Sequence, residues 1–101
     1  MPRVRISVSG LIQGIGFRPF VYRIAVKRGL KGYVRNLGDA GVRIEVSGSR
    51  EAIEDFLRAL KSEKPPIAEY TKLKVKWLEG EGGYEGFEIA ESDEAGRSVE
   101  V

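Results

Sequence analysis

Nine residues, Gly10–Arg18, reading GLIQGIGFR, constrain this chain more than any other stretch. Ahead of them, Val4, Ile6 and Val8 alternate with Arg5, Ser7 and Ser9, the period of a strand with one wet face. Behind them, Phe17, Phe20, Val21, Ile24 and Ala25 recur at helical spacing. The segment therefore reads as a strand–loop–helix junction, with a strand over about Arg3–Ser9 and a helix over about Phe17–Arg28. Gly10, Gly14 and Gly16 let the loop curl tightly and bring backbone N–H groups close to a ligand. The helix N-terminus adds unpaired N–H groups and a positive dipole end. Arg18, in the first turn, carries a planar fork that matches two phosphate oxygens. The pattern points to an oxyanion cradle, most simply for a phosphate; a plain tight connection is the other reading of such a loop.

Two better-known phosphate motifs do not fit. Gly14 and Gly16 supply the first two glycines of a dinucleotide fingerprint, but its third position is Pro19. No glycine precedes a Lys-Ser or Lys-Thr pair at the spacing of a Walker loop. The 101 residues contain no cysteine and no histidine. Disulfides, thiolate nucleophiles, a phosphohistidine and ordinary zinc sites are thereby excluded. The expectation is an activity with no cofactor and no metal, run by Arg, Asn, Gln, hydroxyls, carboxylates or backbone. A net charge of +2 is weak grounds for a nucleic-acid partner. No apolar run nears the roughly 18 residues that span a bilayer, and the first ten residues lack a signal-peptide core, so a cytoplasmic location is the default expectation.

The rest of the chain supplies the frame. Lys31–Leu37 reads as a second strand, Gly38–Gly41 as a hairpin turn, and Val42–Ser47 as a third strand. Ser49 is a favourable N-cap for a second helix with the stripe Ala52, Ile53, Phe56, Leu57 and Leu60, stopped by Pro65-Pro66. Tyr70–Trp77 follows as a fourth strand and Phe87–Ile89 as a short edge strand. The order β-α-β-β-α-β predicts an α+β, ferredoxin-like sandwich: a mostly antiparallel sheet with two helices on one face. A right-handed crossover makes strands 1 and 2 parallel, so their C-terminal ends share one sheet edge. The glycine loop leaves one of those ends, and Asn36 closes the other. Asn36 shares parity with Val34 and points to the helix-covered side, where its amide needs partners. It either caps the hairpin or holds a water in line with a phosphate in the loop.

Asn is no base at neutral pH, so a substrate attacked through Asn36 has to be intrinsically reactive. Mixed anhydrides of a carboxylic and a phosphoric acid qualify, because the carboxylate leaves without a strong general acid. Catalysis then comes from charge stabilisation and positioning, as in phosphoryl transfer generally.

These residues resemble the acylphosphatase family. Its first signature, roughly GxVQGVxFR, is met by GLIQGIGFR with Ile12 and Ile15 for valines. Its second, GLxGWVxN, is met by Gly29–Asn36 with Tyr33 for tryptophan. The run GDAGVRIEVSG, the Pro65–Ala68 segment and the closing Gly86-Phe87 are also similar, so the resemblance covers about residues 4–90. It implies that Arg18 binds phosphate together with the loop Gln13, Gly14, Ile15, Gly16 and Phe17, and that Asn36 orients the attacking water. The run QGIGFRPFVYRIA is further similar to the N-terminal domain of the carbamoyltransferases of hydrogenase maturation. That resemblance implies carbamoyl phosphate, itself a mixed anhydride, as substrate. It also implies other domains of a longer chain as partners, with residues 1–90 as the domain and 91–101 as a mobile tail or linker start. A stand-alone acylphosphatase of general metabolism is the alternative. An RNA-binding module using Arg5, Arg43, Lys72, Lys74 and Lys76 is the third reading. It is disfavoured because Val34 and Arg35 break the aromatic pattern begun by Lys31-Gly32-Tyr33, and the segment lies on the second strand. The lysines then serve as a solvated, edge-protecting face, and no nucleic acid or membrane partner is expected.

Overall fold

Val4, Ile6 and Val8 are fully buried and make β1 (Arg3–Leu11) the strand on which the sheet is built. The computed structural model describes residues 1–80 and 82–91, so the expected tail lies, beyond Glu91, outside the described residues. After β1 come α1 (Phe17–Lys27), β2 (Lys31–Asn36), β3 (Val42–Ser47), α2 (Arg50–Ser62), β4 (Glu69–Leu78) and β5 (Phe87–Ile89). The sheet order is β4-β1-β3-β2-β5. β1 and β2 both pair antiparallel with β3, so they run parallel to each other and end at the same sheet edge. β5 joins β2 in parallel. This is the ferredoxin-like sandwich expected from the element order.

Both helices lay their apolar stripes on one face of the sheet. Phe17, Phe20, Val21 and Ile24 of α1 and Ile53, Phe56 and Leu60 of α2 join the inward residues of β1, β2 and β3 in one core. Burying each such large side chain contributes about 1.5–3 kcal/mol. α1 ends in a Schellman motif: the Gly29 N–H donates to the Val26 carbonyl and the Leu30 N–H to the Ala25 carbonyl, both at 3.0 Å. α2 stops at Ser62, before Lys64, which Pro65 pushes away from helical geometry.

Two local expectations change, and one strand is more exposed than the rest. The first strand runs two residues past Ser9, because β4 reaches down to Glu69 and pairs with Gly10 and Leu11 across a bulge at Ser9/Gly10. A Cβ on Gly10 would lie 2.1 Å from the Glu69 carbonyl oxygen, so only glycine permits that pairing. The β2–β3 connection is a turn of 3-10 helix over Gly38–Ala40, entered after Asn36 rather than after Leu37. Val75 and Trp77 share the core-facing side of β4 but are each 39% exposed. β4 is one of the sheet's two edge strands, and Arg50 covers the Trp77 ring at 4.4 Å where core would otherwise be.

Candidate active site

The loop from Ile12 to Gly16 is short, and two of its residues have left-handed backbone: Gly14 at φ 74° and Gly16 at φ 80°. A Cβ at either would meet nothing within 4 Å. Space is therefore not the reason for glycine; the backbone angle is, since other residues pay roughly 1–2 kcal/mol in this region. Gly16 is the N-cap of α1 and offers no side chain to cap it. The first helical backbone bond runs from the Phe20 N–H to the Gly16 carbonyl, 3.1 Å. The N–H groups ahead of Phe20 have no intrahelical partner. No acidic residue stands in this first turn. Arg18, half-buried there, takes part in none of the ion pairs among the described residues.

The expected loop residues divide by role. Phe17 turns its ring into the core, 2% exposed, edge-on to Tyr70 at 5.9 Å, so only its backbone can serve the loop. That packing pins the helix start to the sheet. Tyr70 in turn donates to the Leu60 carbonyl at 2.6 Å, and burial pushes its phenol up to about 12. Ile15 is partly buried against the same core. Gly14 and Gly16 set the curl. The Gln13 side chain is committed within the protein, its Nε2 donating to Asn36 Oδ1 and to the Gly38 carbonyl, each at 2.9 Å, so only its backbone can serve the loop. With both amide hydrogens committed, its side chain is turned toward the β2 end and away from anion binding. A long polar side chain in a loop shows no preferred direction in sequence, which is why this partner was not legible.

Of the two readings of Asn36, the hairpin cap is the one seen directly. Its Oδ1 accepts from the Gly38 N–H at 3.0 Å, which caps the turn. The same oxygen accepts from Gln13. Two donors on one atom identify it as the oxygen, so the Asn36 NH2 group is left with its two hydrogens for another acceptor. The structure thus brings Gln13 and Asn36 together; no hydrogen bond joins Arg18 to either among the described residues. A shallow cavity of about 270 Å³ lies between Ser9–Gln13 and Gly38–Gly41, lined by neither Arg18 nor Asn36.

One polar cluster was missed. Glu45, only 3% exposed, lies on the helix-free face of the sheet between Arg5 on β1 and Tyr33 on β2. Arg5 Nε donates to its carboxylate at 2.7 Å and Arg3 Nη1 at 3.4 Å, and the Tyr84 hydroxyl donates to it as well. Burial pushes its carboxyl up, but the Tyr84 and Arg5 hydrogen bonds outweigh burial and hold it below its ordinary value. The parity of β3 signalled an outward Glu45, but its arginine neighbours come from a strand about 40 residues earlier. Among the described residues, no group of three or more His, Cys, Asp or Glu is placed to hold a metal, and no helix is long and apolar enough to cross a membrane.

Comparison with known proteins agrees with this geometry. The acylphosphatase family profile matches residues 4–89. A probable carbamoyltransferase HypF of Methanocaldococcus jannaschii is 46% identical over 93 residues, 92% of this chain but 12% of that protein. An acylphosphatase of Archaeoglobus fulgidus is also 46% identical, over 90 residues, 89% of this chain and 99% of the other. In three dimensions, the Bacillus subtilis acylphosphatase superposes with a TM-score of 0.83 at 37% identity, covering 89% of this chain and 99% of its own. T. kodakarensis HypF superposes with a TM-score of 0.82 at 45% identity, covering 93% of this chain and 12% of its own. The chain therefore spans about an eighth of its HypF relatives and nearly all of the stand-alone ones. From profile, relatives and superposition together, the chain belongs to the acylphosphatase family, hydrolases that act on acyl phosphates.

Proposed function

We propose that the loop Gln13–Arg18 and Asn36 form the acyl phosphate site of this chain. Arg18 and the backbone N–H groups of the loop hold the phosphoryl oxygens, and the Asn36 NH2 group donates to the attacking water. Water adds to phosphorus as the bond to the acyl oxygen breaks. The carboxylate departs as an anion, and the water proton passes to a phosphoryl oxygen, since Asn36 has no base character. Charge build-up on the transferring group is met by Arg18 and by the positive end of α1, without need of a metal. The observation that carries this reading is the start of α1: no side-chain cap, no acid in its first turn, and an arginine without an ionic partner among the described residues.

Carbamoyl phosphate is the proposed physiological substrate, with this chain working as the acylphosphatase domain of a longer carbamoyltransferase. What supports it is the identity to HypF proteins over 92% of this chain. The near-complete match to a stand-alone acylphosphatase supports general acyl phosphate hydrolysis as the second reading. Phosphate release from carbamoyl phosphate and from an aryl acyl phosphate, measured side by side, separates the two. A strong preference for the carbamoyl substrate supports the first, and equal or better use of the aryl substrate supports the second. In either case Asn36→Ala should lower turnover about 100-fold or more while inhibition by inorganic phosphate changes little. A phosphate inhibition constant that weakened in step with turnover would reassign Asn36 to anion binding. A chelator should leave the rate unchanged; loss that a divalent ion restores would contradict the proposal.

A further inference from the structure

We infer that Gln13 is the positioning residue that sets the distance and orientation of the Asn36 amide relative to the cradle, a role that rests on the acyl phosphate reading above. Gln13 belongs to the loop between β1 and α1, whereas Asn36 and Gly38 belong to the β2–β3 connection. The Gln13 side chain is a side-chain bridge between these two segments, with one NH2 group donating to Asn36 Oδ1 and to the Gly38 carbonyl, both at 2.9 Å. A carbonyl oxygen has two lone pairs, and those of Asn36 are filled by Gln13 and by the Gly38 N–H. Turning the Asn36 amide over would set its NH2 group against two donors and leave both without an acceptor. The Asn36 hydrogens are therefore locked outward.

The two anchors on Asn36 do different things. The Gly38 N–H lies two residues along the same chain, so it fixes the amide against its own turn. Gln13 lies 23 residues away and fixes the amide against the phosphate loop. Without Gln13, Asn36 keeps its local cap but loses its register to the cradle. The expected signature is a defect in turnover with phosphate binding retained, because Arg18 and the loop N–H groups do not depend on the bridge.

The test is a double-mutant cycle on the purified chain: wild type, Gln13→Leu, Asn36→Ala and the double variant, each measured for kcat, KM and inhibition by inorganic phosphate. Gln13→Leu keeps the bulk and removes the donors; kcat should fall roughly 10–100-fold, the range for a misplaced reacting group, with phosphate inhibition within about twofold. In the Asn36→Ala background the same change should cost less than about twofold, since no amide is left to aim. Effects that multiply in the double variant would overturn the inference, as would a silent Gln13→Leu or a parallel loss of phosphate affinity. Gln13→Glu gives a readout besides rate: its carboxylate cannot donate to Asn36 Oδ1, so the Asn36 amide keeps only its Gly38 anchor and its NH2 resonances should move in an NMR spectrum. Unmoved resonances would equally overturn the inference. The two layers fail separately: if Asn36→Ala leaves kcat unchanged, the site reading falls and this inference with it, whereas a slow Asn36→Ala beside a normal Gln13→Leu removes the inference alone.

Discussion

α1 and α2 pack on the same face of the same sheet, yet their N-termini are built in opposite ways. At α2, Ser49 caps the helix by accepting from the Ala52 N–H at 3.1 Å, and Glu51 faces the positive dipole end. At α1, the cap is a left-handed glycine with no side chain, and Arg18 stands where α2 has Glu51, at the second helical position. α2 satisfies its terminus from within the chain. α1 forgoes a side-chain cap, a loss of only a few tenths of a kcal/mol where glycine stands in its place, and adds a cation that costs about 0.3–1 kcal/mol more at the positive dipole end. Both departures make the terminus attractive to an anion. Groups matched inside the chain should govern stability, and groups left unmatched should govern the reaction.

The sharpest way to break that contrast is Arg18→Ala. Loss of a preorganised charge contact should slow phosphate release about 10²–10³-fold, or roughly 3–4 kcal/mol. The melting temperature should hold or rise slightly, because a cation leaves a positive helix end. A normal rate with a lowered melting temperature would place Arg18 with the structural groups.

Glu45 tests the matched side. Glu45→Gln leaves Arg3 and Arg5 facing a neutral amide and should cost about 1–3 kcal/mol in denaturant unfolding, with phosphate release unchanged. Its pH dependence has a defined sign. The folded carboxyl titrates below its ordinary value of 4.5, so its contribution is complete above that pH and fades as pH falls through the folded value. Glu45→Gln should flatten this acid limb of the stability profile. An unchanged acid limb would show that Glu45 contributes nothing through its charge.

The smallest effect sharpens the comparison directly. Ser49→Ala removes the α2 cap and should cost about 1 kcal/mol of stability, read as an earlier chemical-denaturation midpoint, with kcat untouched. A fall in turnover would mean that the two helix ends are coupled.

Periodicity carried much of this structure. The alternation of Val4, Ile6 and Val8 and the stripe Ile53, Phe56 and Leu60 encode which face is buried, and the core follows them. Arg18 and Asn36 were legible as candidates because a glycine loop before a helix and a polar residue at an inward strand position each have a local physical meaning. The place of Gln13 in the loop is legible from its neighbours, but the bond of its side chain to Asn36 is not. The outward position of Glu45 followed from parity; its near-complete burial did not, because that depends on Arg3, Arg5 and Tyr84 arriving from other parts of the chain.

The sequence by itself determined the element order, the buried faces and the strand–loop–helix cradle, because these depend on neighbours within a turn or a strand period. Only the tertiary structure decided where long polar side chains bond, how far β1 runs beyond its bulge, and that Trp77 lies at an exposed edge. Those outcomes turn on hydrogen-bond donors and packing surfaces contributed from 23 to more than 40 residues away, and no local pattern records which distant groups will meet.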